Sequence, residues 1–272
     1  MNTIGLNTER GLKSLVNLST LFDFAKFLTL CGLFLWLLMV GTGQLGYHWQ
    51  WYRIPRFIFT VVDGNVIPGP ILQGLWVTCR ITAASFVLFL IFGITAALLR
   101  QSSLLSARAI ARVYLEIIRN TPLLIQLFLI YFAISPLLGL SAFTSAVLAL
   151  SLFEGAYASE IIRAGIYSIN RGQLEAAYSL GLSTFDTYRY IILPQVIRQI
   201  SPPLTNQTIS LIKDSSLVST IAIYDLTMRA QAIVAETFLA FEIWFTVAAI
   251  YLIINIALSY AVRVMENRMR LE

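Results

Sequence analysis

Two carboxylates, Glu154 and Glu160, stand in a stretch otherwise apolar enough to lie in a bilayer, with Tyr157 midway between them. On an ideal helix the two acids are roughly 9 Å apart along the axis and about 120° apart around it, so they share a broad face. A second constellation, Asn206, Ser210, Lys213 and Asp214, recurs at spacings of four, three and one, which draws a polar stripe along one side of another helix. Chemistry at such depth is recognition of charge, because an ionisable group in hydrocarbon is costly and marks either a solute path or a pairing between helices. Glu154 has no basic residue three or four positions away; it can receive an ammonium group, or it hydrogen-bonds a neighbouring helix. Glu160 has Arg163 three residues on, which favours an inner-face ion pair. Lys213 and Asp214 either line a path, pair as a gate, or pair statically in helix packing. Bond-making chemistry has little to work with. His48 is the only histidine, so neither a His-based zinc site nor a Ser-His dyad can be assembled.

Composition supplies the elements that must hold these groups. Hydrophobic residues make up 58% of the 272-residue chain and charged ones 12%, with a mean hydropathy of +0.77, whereas soluble domains are roughly one-quarter charged. The chain reads as an all-α polytopic membrane protein. Runs long enough for a span of about 20 residues occupy 24–43, 72–99, 122–140, 141–162, 203–224 and 241–262. The fifth carries Lys213 and Asp214 at its middle, which also suits a re-entrant or broken segment buried in protein. No small-residue cleavage site follows the first run, so a retained span is expected rather than a signal peptide. Fourteen of the nineteen Lys and Arg fall on the side of the amino terminus, three (Arg53, Arg56, Arg229) on the other, and Arg80 and Lys213 within spans. That bias predicts both termini in the cytoplasm, and it accounts for the net charge of +5 without a nucleic-acid partner. Tyr47, Trp49, Trp51 and Tyr52 fit an outer interfacial belt, and Arg80 can snorkel toward the same interface. Cys31 and Cys79 read as small buried hydrophobes. Gly155, Ala156, Ala158 and Ser159 suit close contact with another helix.

Residues 170–201 are too polar to span and too well patterned for a slack loop. Leu174, Ala177, Tyr178 and Leu180 recur at helical spacing, Glu175 falls near the first turn, and Gly181 is placed to stop the helix. Ser183 then caps a second helix with Asp186 in its first turn, running through Tyr190 and Ile192 until Pro194 ends or bends it. Small Ala176 and Ala177 permit close approach of another surface, and the exposed acid and tyrosine offer anchors. An amphipathic hairpin resting on the inner leaflet would carry more Lys and Arg for headgroups, so protein docking is the favoured reading. Nowhere does the chain contain Gly, four residues, Gly-Lys-Ser/Thr, the loop that cradles ATP phosphates; its three lysines, Lys13, Lys26 and Lys213, supply none.

With these residues the chain resembles the membrane permease subunits of bacterial ABC importers, in particular the group serving polar amino acids. Their loop signature of Glu-Ala-Ala, three residues, Gly, nine residues, Ile, any residue and Leu-Pro is met by Glu175, Ala176, Ala177, Gly181, Ile191, Leu193 and Pro194. Flanking stretches are similar too: Arg119 to Leu124, Gly155-Ala156-Tyr157 followed by Glu160 and Arg163, and Pro202-Pro203-Leu204 followed by Lys213 to Leu217. The resemblance implies a type I importer transmembrane domain, here a five-span core over 72–264 with an added amino-terminal span within 1–71 and a cytoplasmic tail over 265–272. It implies that the loop couples to two cytoplasmic ATPase subunits, which hold the ATP and Mg, so that this chain binds no cofactor of its own and catalyses nothing. It implies a second permease, identical or similar, an extracytoplasmic amino-acid-binding protein, and a place in the bacterial cytoplasmic (inner) membrane. In the family, Glu160 matches a recurring position, and the small-residue patch around Gly155 can also face the second permease. Glutamate or glutamine is the favoured cargo. A self-sufficient secondary transporter or channel would show inverted repeats with broken helices or a ring of pore charges, and no such repeat is evident. An importer of another small solute, such as an opine or a sulfur-containing amino acid, is the other alternative.

Overall fold

The computed structural model describes residues 22–34, 36–37, 39–41 and 46–271. The expected cytoplasmic segment bearing Arg10 and Lys13 lies outside the described residues, as does position 272. The chain divides between Gln50 and Trp51 into two compact units. The first contains α1 (Phe22–Gly41), an apolar helix of 20 residues. Cys31, on this helix, is half-exposed.

The second unit opens with the single turn α2 (Pro55–Ile58) and a hairpin, β1 (Phe59–Val62) against β2 (Asn65–Pro68). Sequence reasoning gives only a punctuated loop here. The turn residues Asp63 and Gly64 have φ of 51° and 78°, the positive pair that lets a two-residue turn follow the strand twist. Helices follow: α3 (Pro70–Gln101), α4 (Leu105–Arg119), α5 (Leu123–Leu138), α6 (Ala142–Tyr167), α7 (Arg171–Ser179), α8 (Thr184–Ile221), α9 (Leu226–Thr237) and α10 (Ala240–Leu271). Among the described residues α1, α3, α6 and α10 are each long and apolar enough to cross a membrane, and up to six crossings result if α4–α5 and α8–α9 each count as one bent span. The tail expected from residue 265 continues α10 to Leu271.

The core forms where α3, α5, α6 and α8 meet, around Ile81, Phe89, Leu127, Leu150 and Leu211. Small residues let α3 and α6 approach closely. A Cβ added to Gly93 would stand 2.7 Å from that of Ala158, and one on Gly155 2.8 Å from that of Phe92. The small-residue patch on α6 therefore serves a contact inside the chain. A second cluster, with Ile71, Leu226, Ala230 and Ile243, joins α3, α9 and α10.

Proline shapes two of these helices in the same manner. Each contains a π-helical turn shortly before a proline: Leu129–Ile134 before Pro136, and Thr187–Ile192 before Pro194. The wider turn accommodates the ring and the missing N–H without ending the helix. Of the two outcomes expected at Pro194, an end or a bend, the end does not occur: the helix continues through Pro202 and Pro203 to Ile221. Cys79 is exposed on α3, contrary to its reading as a buried hydrophobe, because it faces outward into an apolar groove between α3, α8 and α10.

Candidate functional site

Helices α7 and α8 present the patterned loop as a rigid surface. The Asn170 side chain accepts from Gly172 N–H (2.8 Å) to start α7. At its end Gly181, with φ of 77°, donates to the Tyr178 carbonyl, and Leu182 donates to that of Ala177. This pair of bonds closes a helix through a left-handed residue, a conformation that costs a side-chain-bearing residue roughly 1–2 kcal/mol. Ser183 accepts from Asp186 N–H and donates to the Asp186 carboxylate at 2.6 Å, which caps α8 as expected. The hairpin is tied back to the spans where Ser168 donates to the Gln199 side chain (2.5 Å) and Gly165 admits Ile200.

The signature residues divide by exposure. Glu175, Ala176, Gly181, Leu193 and Pro194 are exposed and Ile191 is half-buried, whereas Ala177 is buried against the chain itself. Only Ala176 of the alanine pair is open to another surface. In the same hairpin Leu180, Phe185 and Tyr190 are 80%, 69% and 63% accessible. Beside them lies a hollow of about 370 Å³ lined by Tyr190, Ile191, Pro194, Gln195 and Arg198. Contiguous exposed apolar surface rimmed by polar groups marks a partner site.

The membrane-depth groups fall into two separate clusters. Glu154 is fully buried on α6 and accepts a hydrogen bond from the Gln207 amide on α8, with Asp214 and Lys213 the charged groups acting on it. Sequence spacing does not single out Gln207; it lies one position beyond Asn206, on the flank of the predicted stripe that faces α6. Asn206 and Lys213 are exposed and Ser210 half-buried. Among the described residues no ion pair joins Lys213 to Asp214.

Glu160 belongs to a different site. Its Oε1 receives Arg100 at 2.6 Å and Arg119 at 3.0 Å, and its Oε2 receives Arg163 at 3.0 Å. One carboxylate thus ties the ends of α3 and α4 to α6. Sequence spacing identifies Arg163 and misses Arg100 and Arg119, since their convergence depends on how three helices meet. The Arg119 guanidinium also lies over the Tyr157 ring, 5.7 Å from its centroid, so Tyr157 links this cluster to the face below Glu154.

Comparison with known proteins bears on what these surfaces do. Residues 89–271 match the family described as binding-protein-dependent transport system inner membrane component. The glutamine transport system permease protein GlnP of Escherichia coli (strain K12) is 40% identical over 204 residues, covering 74% of this chain and 93% of that one. The L-cystine transport system permease protein TcyB of Bacillus subtilis (strain 168) is 43% identical over 217 residues, covering 76% and 93%. A crystal structure of an amino acid ABC transporter with histidines aligns with a TM-score of 0.68 and 39% identity over 73% of this chain and 94% of that one. An inward-facing methionine transporter, MetNI, at 18% identity and a TM-score of 0.58, shares the fold.

Proposed function

The chain belongs to the family of binding-protein-dependent transport system inner membrane components, and from that premise we propose that it is the permease of an ATP-driven importer of amino acids, glutamate or glutamine foremost. It is a multi-pass inner membrane protein of the ABC permease kind. The observation that carries the reading is the exposed surface of α7 and the start of α8, with Glu175, Ala176 and Pro194 open to a partner, in a chain without an ATP phosphate loop. That surface docks one of two cytoplasmic ATPase subunits, which hold the ATP and Mg, and closure of the pair moves α8. Gly181, Leu193 and Ile191 set its shape, and Ala177 secures α7 from within.

Cargo passes between this chain and a second permease, identical or similar. The polar side of α8, with Asn206 and Lys213 exposed and Ser210 half-buried between them, supports this, because such groups are costly against lipid and suit a wet path or a protein contact. Glu154, fully buried and held by Gln207 beside Asp214 in this structure, receives the α-ammonium group common to amino acids when α8 moves aside. Tyr157 lies between it and Glu160, whose three arginines close the cytoplasmic side of the path. The Lys and Arg bias supports both termini in the cytoplasm, and an extracytoplasmic amino-acid-binding protein delivers the cargo.

The test is co-purification from native membranes in mild detergent. An ATPase that stays bound to the wild-type chain and is lost in Glu175→Lys supports the reading; a chain that purifies alone and transports alone overturns it. Similarity to the L-cystine permease favours a sulfur-containing amino acid as a second reading. Competition of unlabelled cystine against labelled glutamine uptake separates the two.

A further inference from the structure

Helix α4 reads in the sequence only as part of an inner loop, and its geometry gives it a role of its own. Its 15 residues extend about 22 Å, short of the roughly 30 Å of a hydrocarbon core. It is bent by 108° from α5, which sets it across the direction of that helix. The corner is clamped by Gln126, whose amide donates to the carbonyls of Ile118 (2.7 Å) and Thr121 (3.0 Å). Ala107, Ala111 and Leu115 are buried, and the Tyr114 hydroxyl donates to the Leu152 carbonyl at 2.6 Å. This side of α4 therefore rests on α3 and α6.

Two further stripes face away from the protein. Ile110, Val113 and Ile117 are 65%, 57% and 58% accessible and fall within about 60° of one another around the helix. Arg108, Arg112 and Arg119 fall within about 40° of one another on the opposite side. Arg119 is engaged by Glu160, but Arg108 and Arg112 are exposed and form no ion pair among the described residues. Glu116, one turn from Arg112, instead accepts from Asn120 at 3.0 Å. A short helix lying across the direction of α5, with one apolar and one arginine-rich open side, has the character of an interfacial helix. The coupling loop, by contrast, opens aromatic groups and one acid.

We propose that α4 lies in the cytoplasmic leaflet and binds the headgroups of anionic phospholipids through Arg108 and Arg112, with Ile110, Val113 and Ile117 sunk among the acyl chains. This rests on the cytoplasmic placement of that side given under Proposed function. The occupant follows from charge complementarity: two unpaired guanidiniums beside an apolar stripe match a phosphate-bearing lipid with net negative charge. The lipid then fixes the depth of α4, and through Arg119 and Glu160 the depth of the ends of α3 and α6.

The experiment uses the complete transporter in phosphatidylcholine nanodiscs carrying a trace of spin-labelled phosphatidylglycerol or spin-labelled phosphatidylcholine. Wild type should immobilise the anionic probe in preference, and high salt should abolish that preference. Arg108→Gln with Arg112→Gln should lower it by roughly fivefold per arginine removed, while the double Lys variant keeps most of it. Equal immobilisation of both probes by wild type overturns the proposal, and that measurement needs no variant to fold. A preference untouched by the double Gln change, or an ATPase released by that change with the preference intact, also overturns it. Sidedness is read separately by labelling Ser106→Cys with an impermeant reagent, with Cys31 and Cys79 replaced. Labelling from outside removes the cytoplasmic placement, whereas the probe preference reports lipid binding irrespective of side.

Discussion

Helix α8 begins in the exposed hairpin proposed to dock an ATPase and runs on to the buried acid, and the two ends are built by opposite rules. Residues 184–194 are held by contacts within a few positions: the Ser183 cap, the π turn before Pro194 and the left-handed Gly181 just upstream. Most of their side chains are left open, Thr187 and Ile192 being turned inward to anchor the turn. At 207–214 the helix instead meets Glu154 from a segment 53 residues away, and the acid is shut inside. A docking surface needs a stiff backbone with free side chains. A recognition group at depth needs its side chain held, since an unpartnered carboxylate in low dielectric is costly.

That contrast breaks first at Gly181. Gly181→Val should abolish most ATP-driven uptake, by about tenfold or more, because a β-branched residue resists the left-handed conformation; the chain should still insert, as judged by membrane fractionation. Normal uptake in that variant would mean that the backbone there tolerates reshaping. Glu154→Gln comes next. Uptake should fall roughly tenfold while the ATPase remains bound, as expected when one charge-assisted contact of about 1.5–3 kcal/mol is removed. Transport kinetics and co-purification on the same sample make the comparison, and unchanged kinetics would make Glu154 a packing group.

The alanine pair sharpens it further. Ala176→Leu should weaken ATPase retention several-fold with little change in thermal stability, while Ala177→Leu should destabilise the loop by about 1–3 kcal/mol through overpacking. Identical behaviour of the two would erase the distinction between open and buried alanine. The smallest effect is expected at Glu160. Its side chain is 25% accessible, so solvent screening moderates the loss, and Glu160→Gln should lower stability by about 1–2 kcal/mol, read as a shift in the melting temperature of the detergent-solubilised chain.

Local chemistry makes the α7–α8 hairpin legible in the sequence: cap residues and a helix-stopping glycine act over a few positions. The apolar runs are legible for a similar reason, since each span satisfies its own backbone. Gln207, Arg100 and Arg119 are not, because nothing in the neighbourhood of a glutamine or arginine states which distant acid it will meet. Helix α4 is hidden because its arginines resemble the basic loops that set orientation, and its three-sided pattern emerges only once the buried side is known. At Pro194, where the sequence allows an end or a bend, the helix goes on because a π turn absorbs the ring. The patch around Gly155 shows its composition but not its partner, which is α3.

The continuity of α8 has a mechanical consequence. Its 38 residues from Thr184 to Ile221 make a rod roughly 55–60 Å long, nearly twice the thickness of the hydrocarbon it enters. A tilt of about 5° about Ile200, near its middle, would carry each end by about 2–3 Å in opposite directions. Pushing on such a beam needs no wave of local rearrangement through the core. Under the docking proposed above, a push at one end would reach the interior as travel, with the closely fitted crossing of Gly165 and Ile200 as the fulcrum.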